Sequence, residues 1–92
     1  MTGVEDRMAR LKHRFVERSR GDREALVKAL SEDDRGELRR LAHSLSGAGG
    51  IFGFEAISQC AARLEHGIDR EEPPERLREL LDALLQEIDS CK

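Results

Sequence analysis

His43 is the residue in this 92-residue chain whose type and surroundings best fit chemistry at a surface. At about 100° per residue, the apolar stripe Leu38, Leu41, Ala42, Leu45 and Ala48 is centred between Leu41 and Leu45. His43 falls on the opposite side of that helix and is expected to face solvent. Its neighbours three and four residues away are Arg39, Arg40, Ser46 and Gly47. A neutral imidazole is a nucleophile near neutral pH. Two guanidinium groups beside it could attract a phosphoryl group and stabilise it once bound. Gly47 weakens the helix by about 1 kcal/mol relative to Ala but bares the surface one turn beyond the imidazole, and Gly50 repeats the effect. A nucleophile reached by a partner protein fits this arrangement. On the wheel alone an ordinary solvated histidine fits it too, and the glycines fit a frayed helix end or close helix packing.

The elements that must carry this residue follow from apolar periodicity. Thr2 to Glu5 has the form of a capping box, and Val4, Met8, Leu11 and Phe15 recur at helical spacing until Gly21. This predicts a first helix over 4–19 and a short second one over 22–30, carrying Leu26, Val27 and Leu30. Ser31-Glu32-Asp33-Asp34 offers a cap for the third helix, which bears His43 and ends near Gly50 among Gly47, Gly49, Gly50 and Gly53. Phe54, Ile57, Ala61, Leu64 and Ile68 draw a fourth stripe that stops at Asp69-Arg70-Glu71-Glu72. After Pro74, which suits a first helical position, Leu77, Leu80, Leu81, Leu84, Leu85 and Ile88 form the widest apolar face. The connections are short and no repeat or linker interrupts them. The expected fold is all-α: one domain over 1–92, an antiparallel four-helix bundle with one additional short helix near the N-terminus.

Composition removes several classes of function. A net charge of −3 with only three aromatic residues, Phe15, Phe52 and Phe54, all at core-like positions, argues against nucleic-acid binding. No apolar run approaches the roughly 20 residues that span a bilayer, and the first residues lack the basic-then-apolar order of a signal peptide. No membrane association is expected, and the cytoplasm is the expected compartment. Cys60 and Cys91 have no metal-type spacing and read as reduced thiols. No Glu-x-x-His pair of the kind used by di-iron bundles occurs. Glu65 and His66 are adjacent and so lie on different faces, and His13 and His66 read as solvated. The segment 47–53 follows a helical pattern instead of a strand and lacks the Gly-Lys-Ser/Thr ending of a phosphate loop. No metal or nucleotide site is expected.

The stretch Leu41-Ala42-His43-Ser44-Leu45-Ser46-Gly47-Ala48-Gly49-Gly50-Ile51-Phe52-Gly53-Phe54, followed by Leu64-Glu65, resembles the signature of histidine-containing phosphotransfer (HPt) domains. It is particularly similar to the version in chemotaxis histidine kinases. Ala42, His43, Leu45, Gly47, Phe52, Gly53, Leu64 and Glu65 match the pattern, and about a quarter of the chain carries the detailed likeness. The resemblance implies that His43 is the phosphoacceptor and that Glu65 accepts a hydrogen bond from its Nδ1–H, leaving Nε2 as nucleophile. It implies response-regulator receiver domains or a hybrid histidine kinase as partners, Mg²⁺ on the receiver only, no cofactor here, and no autokinase activity. Where the family usually has Lys, this chain has Ser46. Arg39 or Arg40 is the expected substitute, with Ser46 giving a neutral hydrogen bond. Docking is expected on the His43 face with the adjacent edge of the next helix, including Gly50, Phe54, Ser58 and Ala62, and the chain is expected to be a monomer. The alternative is a helical adaptor that binds the same partners without carrying phosphate.

Overall fold

The computed structural model describes residues 3–91, so Thr2 of the expected capping box lies outside the described residues. Four helices follow one another: α1 (Gly3–Ser31), α2 (Arg35–Ile51), α3 (Glu55–Asp69) and α4 (Pro74–Ser90). Connections of three or four residues turn each helix back on the last. α2 packs on α1 and α3, α4 packs on α3 and α1, and the backbones of the diagonal pairs stay farther apart. The core is aliphatic: Leu26, Leu38, Leu45, Ile57, Leu64, Leu77, Leu81, Leu84 and Ile88 are fully buried. Each such side chain contributes about 1.5–3 kcal/mol relative to leaving it in water.

The expected break at Gly21 does not occur. The segments predicted as a first helix and a short second one form a single α1, so the additional short helix is absent as a separate element. One glycine costs a helix about 1 kcal/mol, whereas Phe15, Val16 and Ser19 before it and Leu26 and Ala29 after it are buried on one face. The C-terminal half of α1 is also tied to the end of α4. Arg23 donates from Nε and NH2 to Asp89 at 2.9 and 3.0 Å, and Arg20 donates to the Cys91 carbonyl at 2.8 Å. Packing on both sides of the glycine outweighs its local cost. At 29 residues, α1 is far longer than its neighbours and outruns the bundle. Val4 and Met8, the first two members of its apolar stripe, are accordingly 74% and 41% exposed.

All three turns close in the same way. The amide of Asp34 bonds to the Ala29 carbonyl at 2.8 Å, that of Phe54 to Gly49 at 2.8 Å, and that of Glu72 to Gly67 at 3.0 Å. These are the six-residue bonds of the Schellman motif, which requires a left-handed residue just past the helix. Asp33, Gly53 and Glu71 occupy that position with φ of 55°, 81° and 56°. On the far side of the first turn, the Asp34 carboxylate accepts from the Glu37 amide at 3.1 Å and caps α2.

Two measurements check this account. A Cβ at Gly21 would meet nothing within 4 Å, so Gly21→Ala should stabilise the protein by about 1 kcal/mol in denaturant melts. Gly53→Ala should destabilise it by about 1–2 kcal/mol, because its backbone is left-handed. The Asp89 carboxyl is held below its ordinary value of 3.8, first by the hydrogen bond from Arg23. A carboxyl lowered on folding stabilises the protein fully above its unfolded value and loses that contribution as pH falls through the native value. The Tm difference between wild type and Asp89→Asn should therefore shrink on acidification below 3.8.

Candidate functional site

α2 turns Leu38, Leu41, Ala42 and Leu45 into the core, which leaves His43 on its outer face with a side chain 72% exposed. Nδ1 of His43 lies 2.9 Å from Oε2 of Glu65 on α3. A carboxylate can only accept, so this bond places the ring hydrogen on Nδ1. In the neutral imidazole the Nε2 lone pair is then left bare. Glu65 is only 17% exposed, seated between α2 and α3, which limits its freedom to leave the ring.

Arg39, one turn before His43, reaches the same oxygen. Its NH2 group forms an ion pair with Glu65 Oε2 at 3.1 Å. Its hydrogen bonds go to Asp69 instead: Nε to Oδ1 at 2.7 Å and NH2 to Oδ2 at 3.3 Å. The guanidinium holds the Asp69 carboxyl below its usual range, and Asp69 together with Glu65 raises Arg39 in turn. Arg40 is engaged on its own helix, donating twice to Glu37 at 2.7 Å. That contact lowers the Glu37 carboxyl. The two arginines expected beside a phosphoryl group are thus each bound to carboxylates.

The glycine cluster divides by purpose. Gly49 is buried, and a Cβ there would lie 3.2 Å from the Phe54 carbonyl and 3.2 Å from the Ser58 amide, so it permits close approach of α3. Gly53 supplies the left-handed turn residue. Gly47 does neither: it is exposed, and a Cβ would meet nothing within 4 Å. Its effect is outward, clearing the surface next to His43. At Gly50 a Cβ would make only ordinary contact with the Ser58 hydroxyl at 3.6 Å.

Of the residues expected at a docking surface, Gly50 and Ala62 are exposed, while Phe54 and Ser58 are half-buried. Ser58 donates to the Ser46 carbonyl at 2.8 Å and so pins α3 to α2. Phe54 stacks on Phe15 at 5.1 Å between ring centroids and serves the core as much as the surface. Two residues near His43 were not singled out from the sequence. Arg18 of α1 donates to the Ser44 hydroxyl at 2.6 Å, and Asp69 grips Arg39. Asp69 stands four residues after Glu65 on the same face of α3, a spacing that could have marked it. Arg18 had no such signal, because it meets α2 across the bundle.

The remaining candidates lie apart. His13 is exposed and 3.9 Å from Glu17, and His66 is exposed on α3. Burial pushes both the Cys60 and the Cys91 thiols up, with the Glu87 charge adding to it, which disfavours thiolate chemistry. Among the described residues, no three His, Cys, Asp or Glu side chains converge as a metal site would require, and no helix is long and apolar enough to cross a membrane.

No curated protein and no solved structure matches the chain. The family profile described as Hpt domain does, over residues 10–91. That span includes all of α2 to α4 and all but the first turns of α1, together with His43 and its whole hydrogen-bonded surround. Fold, exposed histidine and family match converge, and the chain belongs to the Hpt domain family, whose members serve histidine phosphotransfer in phosphorelays.

Proposed function

We propose that His43 Nε2 accepts a phosphoryl group from the aspartyl phosphate of a receiver domain, or from a hybrid histidine kinase, and passes it to another receiver aspartate. The observation that carries this reading is the 2.9 Å contact of Nδ1 with Glu65 on a ring otherwise open to solvent. The Nε2 lone pair attacks phosphorus as the bond from phosphorus to the aspartyl oxygen breaks, and the carboxylate leaves with that electron pair. Because Nδ1 keeps its hydrogen throughout, no proton has to move. The phosphorylated ring becomes cationic, and Glu65 lies where a carboxylate offsets that charge. Phosphoryl transfer is largely positioning and charge stabilisation. In this reading the Mg²⁺ belongs to the receiver, and the chain is a carrier without autokinase activity.

Gly47, Gly50 and Ala62 form the open part of the docking face, with Phe54 and Ser58 at its half-buried edge. One observation favours the adaptor alternative. Ser46 is neutral, and Arg39 and Arg40 are spent on carboxylates, so neither arginine stands as a free cation for a phosphoryl group.

Mixing the protein with a phosphorylated receiver decides between the two. Wild type should acquire acid-labile, base-stable phosphate and His43→Gln should not, while ATP alone should label neither. Equal labelling of wild type and His43→Gln would leave only the adaptor. Gly47→Leu should fold normally, since Gly47 is exposed and a Cβ there meets nothing within 4 Å, yet slow transfer from the receiver about tenfold by holding the partner off. Its labelling by phosphoramidate, a donor too small to need docking, should be preserved.

A further inference from the structure

Four side chains form two adjacent rungs between α2 and α3. One rung is His43 with Glu65. The next lies one turn away, four residues back along α2 and four forward along α3: Arg39 with Asp69. The rungs are joined by the Arg39–Glu65 ion pair. Their geometry is asymmetric. The guanidinium directs two hydrogen bonds to Asp69, the shorter at 2.7 Å, and meets Glu65 only as a charge at 3.1 Å. An arginine with one carboxylate in reach forms a two-pronged pair that occupies both oxygens. Were Asp69 neutral, Glu65 would be the nearest carboxylate left to Arg39, and the oxygen that accepts from His43 would be contested. Were Arg39 neutral, Glu65 and Asp69 would be like charges one turn apart on α3, a destabilising spacing.

We propose that Asp69, acting through Arg39, is a positioning residue for the phosphoacceptor: it takes the guanidinium's hydrogen bonds, reserves Glu65 Oε2 for Nδ1–H of His43, and thereby keeps Nε2 as the bare nitrogen. This assignment rests on the phosphocarrier reading for its consequence and on geometry alone for its mechanism. Arg39 accordingly bears on the Nδ1 side of the ring, through Glu65, a different task from neutralising a phosphoryl group at Nε2.

The test uses the full chain with Arg39→Gln, Asp69→Asn and the double variant, each verified as folded by its melting curve. Two readouts are taken. Nitrogen NMR of the unphosphorylated protein gives the fraction of His43 with its hydrogen on Nδ1. The rate of labelling by phosphoramidate, in which Nε2 displaces ammonia from phosphorus, gives nucleophilicity without docking. Asp69→Asn should lower the Nδ1–H fraction and slow labelling about three- to tenfold, the range expected for loss of one hydrogen bond's worth of positioning, whereas Arg39→Gln, which removes the competing guanidinium, should stay nearer wild type in both. Because Asp69 acts through Arg39, the double variant should be no worse than Arg39→Gln alone. A merely structural ion pair would lower the melting temperature and leave the tautomer in place. An unchanged Nδ1–H fraction in Asp69→Asn, or a loss in the double variant as large as in Asp69→Asn, would overturn the assignment. If wild type takes no phosphate from any donor, the carrier reading fails, and the tautomer measurement still decides the role of Asp69.

Discussion

An acceptor-only group beside a ring with two nitrogens fixes which of them can react, and the Glu65–His43 bond is that constraint. Either nitrogen of an exposed imidazole can carry the hydrogen until a hydrogen bond to one of them decides it. Here the carboxylate ties Nδ1 from a half-buried seat between two helices. The bond also decides where the ring points, because Glu65 comes from α3 and draws the imidazole toward that helix. What remains free is the nitrogen facing water. Histidine's chemistry is thus selected by one hydrogen bond rather than by an enclosed pocket, which suits a domain too small to spare much core.

That bond depends on register. α2 and α3 run antiparallel, and a shift of one residue along either would rotate Glu65 by about 100° away from His43. Three features near the turn prevent it. Gly49 lets the start of α3 approach to contact distance, the Phe54 amide closes on the Gly49 carbonyl, and the Ser58 hydroxyl locks onto the Ser46 carbonyl. Register set there carries forward to Glu65 opposite His43 and Asp69 opposite Arg39. Behind the hairpin, the aliphatic core keeps α2 from rotating, since any rotation that buried His43 would expose Leu41 or Leu45. The glycines written next to the histidine therefore do separate jobs: Gly49 and Gly53 serve the hairpin, and Gly47 and Gly50 are left open to a partner.

Much of this was legible in the sequence. Apolar stripes located α2, α3 and α4 because each helix buries one face, and Pro74 marked the start of α4 because proline lacks only a hydrogen that a first helical residue does not need. His43 was placed outside by the same wheel. The helix break expected at Gly21 is absent for a definite reason: a local cost of about 1 kcal/mol is outweighed by the burial of Leu26 and Ala29 on the far side of it, which local propensity does not register. The exposed start of α1 was hidden because an apolar stripe records what could be buried and cannot record that the neighbouring helices end first. The partners of Arg39 and Arg40 were equally hidden. A guanidinium three or four residues from a histidine looks available until the carboxylates of another helix, or of its own, are placed in space.

A carrier differs from an enzyme in what it must avoid. Interactions that hold the phosphorylated state more tightly than the free one deepen a well from which the group must later escape. In the proposed role, a lysine three residues after His43 would do that, and this chain has Ser46 there. The cations that stand nearby are neutralised by Glu37, Glu65 and Asp69 before any phosphoryl group arrives. For such a role, orientation assists transfer in both directions equally, whereas retention favours one. The same arrangement that withholds a counter-charge from the phosphoryl group supplies one to the ring beneath it. In the proposed role, stabilisation is thus placed on Nδ1, where charge would develop during transfer, and the phosphoryl oxygens would be left to groups on the partner.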